Sequence, residues 1–133
     1  MQVENMMEKY KTSGTLILIP KIEEYIKYTF QILEKIPRVE KFNIGSEIKV
    51  STLRMLEYAH FVNKDRQNAY SYLNKIDALI SYNRSMIRIL DDEKSISHKN
   101  FETCITKLAE LGKIIGGLLK ANPNIKNKWW IML

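Results

Sequence analysis

The sequence contains few of the residues that interrupt helices or build cross-linked folds. Its 133 residues include five glycines, three prolines and one cysteine, Cys104. So few turn-forming residues argue against a fold of many short strands. A single cysteine excludes an internal disulfide and a multi-cysteine metal site. No apolar run approaches the roughly 18 residues of a transmembrane helix, and the first ten residues lack the pattern of a signal peptide. We therefore expect a cytoplasmic protein with no membrane partner.

Groups that could carry out catalysis are also scarce. The only histidines are His60 and His98. His60 follows Glu57 by three residues, which is the spacing that di-iron bundles repeat on facing helices, but a second copy is missing. The sequence has no phosphate-binding glycine loop, serine elbow or Cys–His motif. We expect no catalytic residue, no metal and no cofactor, and hence a protein that is not an enzyme.

Four stretches have apolar residues at steps of three and four, a pattern that predicts amphipathic helices. They span about residues 20–36, 44–63, 66–90 and 98–121. Pro20 is predicted to open the first helix, because the first helical turn tolerates proline, and Ser97 is predicted to cap the fourth. The connections are short, so neighbouring helices should run antiparallel. The predicted fold is all-α, an antiparallel up-down four-helix bundle, with an arm at 1–19, the bundle at 20–122 and a basic, aromatic tail at 123–133 that contains Trp129 and Trp130.

Three positions qualify this simple pattern. Cys104 falls within the apolar stripe of the fourth helix, where we expect an inert core thiol. Asn83 is the polar member of the stripe of the third helix. It either fixes the register of the packed helices or faces water at the edge of the stripe, and we expect the second. The second helix is apolar on more than one side, which indicates a partner surface or packing by the N-terminal segment.

Positive charge is in excess and unevenly distributed. The formal net charge is +6, and residues 111–133 hold four lysines and no acid. Such an excess favours a polyanionic partner such as nucleic acid, although an ordinary solvated surface explains it equally well. The candidate phosphate-binding residues are Arg38, Lys41, Arg54, Arg84, Arg88, Lys113 and Lys120. Three tyrosines could stack on bases or simply pack along the bundle, namely Tyr70, Tyr72 and Tyr82.

Three glycines stand inside the fourth predicted helix, where each costs about 1 kcal/mol relative to alanine. These are Gly112, Gly116 and Gly117. A role in ending the helix fits the later Ala121 and Asn122 better. We therefore interpret the glycines as a face of close packing, against either a neighbouring helix or a neighbouring subunit.

Several segments resemble, in order, a family of small bacterial four-helix bundles. The stretch ILEKIPRVEKFNIGSEIK (32–49) carries a pattern shared by two branches of that family. LNKIDALISYNRSMIRIL (73–90), ISHKNFETC (96–104) and ELGKIIGGLLK (110–120) resemble the third and fourth helices of one branch, the accessory variability determinant proteins of diversity-generating retroelements. Two departures are Lys41 in place of the usual arginine and Leu118 in place of a tryptophan after the glycines.

This resemblance implies a non-enzymatic subunit that forms a barrel-like homo-oligomer, with a pentamer favoured. It also implies two further partners, a retroelement reverse transcriptase and its template RNA, whose mutagenic copying into cDNA the subunit supports. The alternative is a stand-alone interaction bundle of the type encoded in intervening sequences of 23S rRNA genes, with an unknown partner. The second-helix signature of that branch is missing from VSTLRMLEYAHFVN (50–63).

Overall fold

Four long helices account for most of the chain. The computed structural model describes residues 2–121, with side chains from residue 17 onward. The long helices are α1 (Gln2–Leu33), α3 (Ser46–Lys64), α4 (Ala69–Asp92) and α5 (His98–Ala121). Between α1 and α3, the short helix α2 (Arg38–Glu40) leads into a π-helical turn at Lys41–Gly45, and a 3-10 turn at Arg66–Asn68 precedes α4. No strand occurs within residues 2–121, so the predicted all-α class is confirmed.

The four long helices form an antiparallel bundle. Helix α1 packs against α3 and α5, and α4 packs against the same two helices. Helices α3 and α5 therefore occupy opposite corners. The turn between α1 and α3 and the turn between α4 and α5 lie at one end of the bundle, which we call the turn end. The fully buried side chains come from all four helices and include Leu18, Ile22, Tyr25, Ile48, Met55, Ile76, Ile80, Ile87 and Leu108.

Pro20 lies inside α1, so the predicted helix start at this residue is wrong. The helix begins at Gln2 and runs through the proline to Leu33. A proline inside a helix removes one backbone hydrogen bond. Here Leu18 and Ile22, on either side of Pro20, are both fully buried in the core. Burial of this apolar face outweighs the local propensity of the proline. The division into an arm, a bundle and a tail stays a prediction, and the tail lies outside the described residues.

Asn83 is fully buried, so the expectation that it faces water is wrong. Its side-chain Nδ2 donates to Ser51 Oγ at 2.8 Å and to the Leu79 carbonyl at 2.9 Å. Its Oδ1 accepts from the Tyr25 hydroxyl at 3.2 Å. The amide thus joins α1, α3 and α4 through one buried network, which offsets the cost of taking polar groups out of water.

Two other local predictions agree with the structure. Ser97 caps α5, since its Oγ accepts from the backbone N–H of Asn100 at 3.1 Å. Cys104 is fully buried, and burial raises the pKa of its thiol to about 11. The thiol is therefore neutral near pH 7, and a neutral thiol is a poor nucleophile. The inert core interpretation is confirmed.

The turn end brings two carboxyl groups together. Glu40 ends α2, and Glu93 follows α4. A hydrogen bond to Glu40, together with the negative charge of Glu40, raises the pKa of Glu93. Glu40 Oε2 is buried without a hydrogen-bond partner. Because two ionised carboxylates cannot donate to each other, a proton on Glu93 favours this pairing.

Candidate nucleic-acid interface

The seven basic residues singled out from the sequence all lie on the surface but do not form one patch. Six are exposed and Arg84 is half-buried. Arg38 and Lys41 lie at the turn end, and Arg88 approaches that end along α4. Lys113 lies about 22 Å along α5 from the turn end, because each helical residue rises about 1.5 Å. The candidates are thus spread along the whole bundle.

Lys41 lies beside a second lysine that the sequence analysis did not select. The two, Lys41 and Lys49, line a cavity of about 130 Å³ together with Leu33, Glu34 and Gly45. Lys49 Nζ also lies 5.3 Å from the centre of the Phe30 ring. The carboxylate of Glu34 offsets part of the positive charge, so this cavity is not an exclusively cationic site.

Charge on the face between α1 and α5 is largely paired. Lys107 Nζ lies 2.9 Å from Glu24 Oε1, and Lys21 Nζ lies 3.4 Å from Glu110 Oε2. The hydrogen bond from Lys107 lowers the pKa of Glu24. Because each of these lysines faces a carboxylate, this face attracts a polyanion less strongly than its lysine content suggests.

An aromatic and cationic cluster lies where α3 and α4 meet, about one helical turn further from the turn end than Arg54. The Tyr58 and Tyr72 rings stack with centres 6.0 Å apart, and the Phe61 ring lies 5.3 Å from Tyr72. Lys75 Nζ lies 5.4 Å from the centre of Tyr58 and 5.7 Å from that of Tyr72. We call these four residues, Tyr58, Phe61, Tyr72 and Lys75, the seam cluster.

Sequence reasoning found only one member of the seam cluster, Tyr72. The missed signal was the spacing of Arg54, Tyr58 and Phe61, which are four and three residues apart and so share one side of α3. Of the other two tyrosine candidates, Tyr70 is half-buried. The exposed Tyr82 donates a hydrogen bond to Glu47 Oε2 at 3.1 Å, which raises the pKa of its phenol.

The glycines of α5 have no close neighbour among the residues that the structure describes. A Cβ atom added at Gly112, Gly116 or Gly117 would meet no heavy atom within 4 Å. These glycines are therefore not needed for packing against another helix of the same chain. The predicted close-packing role stays a prediction, because its neighbour is not among the described residues of this chain.

Helix α3 and the turn before it expose apolar side chains. Val50 and Leu53 are each about half exposed, at 49% and 52%, and Phe42 in the π-helical turn is 73% exposed. We call these three residues the α3 apolar patch. The alternative explanation, packing by the N-terminal segment, would leave these side chains covered. The second apolar side predicted from the sequence consists of Val50, Leu53 and Phe61, and all three side chains are exposed, Phe61 at 40%. That side is therefore a real surface feature.

Comparison with models of known protein families identifies the family of this bundle. The model of the bAvd-like family matches residues 16–122. The chain belongs to the bAvd-like family. The match confirms the resemblance to accessory variability determinant proteins, and this family is of an accessory, non-catalytic type. Among the curated proteins and the solved structures compared with the chain, none gives a significant match.

Among residues 17–121, no group of three or more His, Cys, Asp and Glu side chains is arranged to hold a metal ion. His98 lies between Asp91 and Glu102, at 3.5 Å and 3.1 Å, on the surface near the start of α5. None of the helices in residues 2–121 has the length and hydropathy to cross a bilayer.

Proposed function

We propose that this chain is a non-enzymatic accessory subunit of a diversity-generating retroelement that acts in the cytoplasm. It binds the reverse transcriptase and the template RNA, or the cDNA copied from it, and so supports mutagenic reverse transcription. The observation that carries the proposal is the bAvd-like match over the whole bundle. The net charge of +6 supports it, because a basic surface attracts the phosphates of RNA.

Phosphate contacts in this proposal come from several separated residues. Arg84 and Arg88 are four residues apart on α4 and so share one side of that helix. Arg38 and Lys41 lie at the turn end, and Lys113 and Lys120 lie along α5. Such contacts position RNA without reading its sequence, and each neutralised phosphate releases counterions.

We also propose that the chain assembles with copies of itself, with a pentamer favoured. The α3 apolar patch and the glycines of α5 lie on opposite corners of the bundle. A contact that joins two different faces on successive subunits is head-to-tail, and such contacts close into a ring when the rotation permits. A ring would also repeat each weak basic site around one particle, which raises affinity by avidity.

Charge reversal tests the nucleic-acid proposal. We expect Arg84→Glu/Arg88→Glu to weaken binding to structured RNA or to the cognate reverse transcriptase, with the circular dichroism of the helices unchanged. Binding by the parent chain should fall steeply with salt. The matched control is Lys27→Glu/Lys35→Glu, because both lysines are exposed but lie on α1 and in the following turn. Equal losses in both variants would indicate bulk charge rather than a defined face. If the parent neither binds RNA nor retains a cognate reverse transcriptase, the proposal fails and the interaction-bundle alternative stands.

Light scattering tests self-association. The parent chain should have several times the subunit mass of 15.7 kDa. Leu53→Glu should lower that mass, because it places a charge in the α3 apolar patch without touching the core. The control is Glu57→Lys, one turn further along the same exposed side. A strict monomer at micromolar concentration would exclude the assembly.

A further inference from the structure

We propose that the seam cluster is a binding site for an unpaired base of single-stranded RNA or cDNA, with the adjoining phosphate held by Lys75. The inference rests on the proposed nucleic-acid function and adds to it a place and a mode of binding. The separated arginines and lysines described above do not by themselves indicate a site that binds a base.

The first argument is the arrangement of the rings. The Tyr72 ring of α4 contacts two rings of α3, with its centre 6.0 Å from that of Tyr58 and 5.3 Å from that of Phe61. Phe61, at its outer edge, is 40% exposed. A ring held against others and open on one side is a platform on which a base can stack, and stacking accepts any base because every base has a π face.

The second argument is that the platform is already ordered. The Tyr72 hydroxyl donates a hydrogen bond to Asp65 Oδ2 at 3.5 Å, and the same oxygen accepts from Asn68 Nδ2 at 2.8 Å. Tyr58 and Tyr72 are half-buried against the core. Because the rings are fixed before binding, little side-chain entropy is lost when a base stacks on them.

The third argument is charge. Arg54, Lys64 and Lys75 all lie within about one helical turn of a ring of the cluster. The nearby Asp65 is engaged by Asn68 and Tyr72. Lys75 covers the two tyrosine rings, a contact that its flexible stem can exchange for a phosphate. Positive charge beside an aromatic ring suits a nucleotide, which brings a phosphate and a base together.

The same features select a single strand over a duplex and over a protein partner. Bases within a duplex are stacked on one another, so their faces cannot reach a protein ring. A protein interface would have a continuous apolar centre. Val62 follows Phe61, and the next five residues, NKDRQ (63–67), are all polar or charged. The α3 apolar patch lies further toward the turn end.

The experiment compares single-stranded and duplex RNA on the intact chain. The probes are a fluorescently labelled oligouridine and a duplex of the same length, followed by fluorescence anisotropy. Phe61→Ala should weaken single-strand binding roughly five- to a hundred-fold, since one stacked base is lost, and should leave duplex binding almost unchanged. The matched control is Ile89→Ala, an equally exposed apolar residue at 42% on α4, and it should bind both probes like the parent.

A crosslink locates the base directly. Oligouridine that carries 4-thiouridine should crosslink, on irradiation, to a peptide within residues 58–75, and the crosslink should be lost in Phe61→Ala. If RNA binding by the parent is salt-dependent but the crosslink maps elsewhere, or if Phe61→Ala binds single strands like the parent, the site is wrong while the RNA function stands. If Phe61→Ala instead lowers the assembled mass, the cluster is a contact between copies and the inference is overturned. A parent chain that binds no RNA overturns both proposals.

Discussion

Asn83 shows how much one buried amide can determine. It accepts from Tyr25 on α1 and donates to Ser51 on α3, so three helices meet at one polar point in a largely apolar core. A slip of one helix by a turn would leave these groups buried without partners, and each unpaired group costs about 1–3 kcal/mol. The network therefore selects one alignment of the helices among several that the apolar stripes alone would allow.

A double-mutant cycle tests this role. Asn83→Leu should lower the free energy of unfolding by about 1–3 kcal/mol, because the hydroxyl of Tyr25 loses its acceptor inside the core. Tyr25→Phe in the same chain should restore part of that loss, so the two changes are not additive in urea unfolding. The control is Tyr28→Phe, whose hydroxyl bonds the half-buried Asn100. Strict additivity would show that the amide and the phenol act independently.

The glycines differ in what surrounds them, although the sequence gives no hint of the difference. A Cβ atom on Gly45 would lie 3.1 Å from the Glu40 carbonyl oxygen and 3.2 Å from Ile36 Cδ1. The π-helical turn therefore needs a residue without a side chain at this point. Gly116 has open space instead. The glycine that the fold requires is thus not one of those that the sequence analysis singled out.

Alanine substitution should separate the two cases. Gly45→Ala should lower the free energy of unfolding by about 1 kcal/mol or more through overpacking. Gly116→Ala should raise it by about 0.5–1 kcal/mol, since alanine favours a helix. Thermal unfolding measures both.

If a second copy packs on α5, Gly116→Leu should lower the assembled mass in light scattering while the helical signal is retained. Assembly like that of the parent would show that the glycine face is not an interface.

At the scale of the helices, the periodicity of apolar residues was enough to predict number, order and direction. It failed at the boundaries, because a boundary depends on tertiary packing. The local sequence at Pro20 indicates a helix start, yet α1 continues through this residue because Leu18 and Ile22 on either side of it are buried in the core. The π-helical turn at Lys41–Gly45 was likewise missed, because residues up to 43 were predicted as a short connection and Ile44 as the start of the second helix. Its geometry depends on how closely Gly45 approaches Glu40, which no periodic pattern encodes.

The surface of the helices was predictable only in part, for a related reason. The second apolar side of α3 followed from spacing within one helix. The seam cluster did not, because it pairs Tyr58 and Phe61 with residues of α4, and that pairing depends on the register between two helices. Asn83, which helps to set the register, was itself expected at the surface.

At the scale of the whole molecule, the net charge of +6 misrepresents where charge is available. The face between α1 and α5 pairs its lysines with carboxylates, whereas Arg54, Arg84 and Arg88 stand on α3 and α4. A single subunit therefore offers RNA a few separated contacts. Affinity for RNA at physiological salt then depends on how many subunits present these contacts together. Variants that lower the assembled mass should therefore also lower the affinity for RNA.

At the carboxyl pair of the turn end, folding takes up a proton in the pH range between the ordinary pKa of a glutamate and the raised pKa of Glu93. Because the pKa of Glu93 is raised, the folded chain keeps a proton that the unfolded chain has released. The stabilisation is complete below the ordinary pKa of a glutamate, and it disappears as pH rises through the raised value. Glu24, whose pKa is lowered by Lys107, has the opposite dependence, since its contribution is lost as pH falls. As pH falls, the turn end therefore gains stability first, above the ordinary pKa of a glutamate, and the contact between α1 and α5 weakens only below that value.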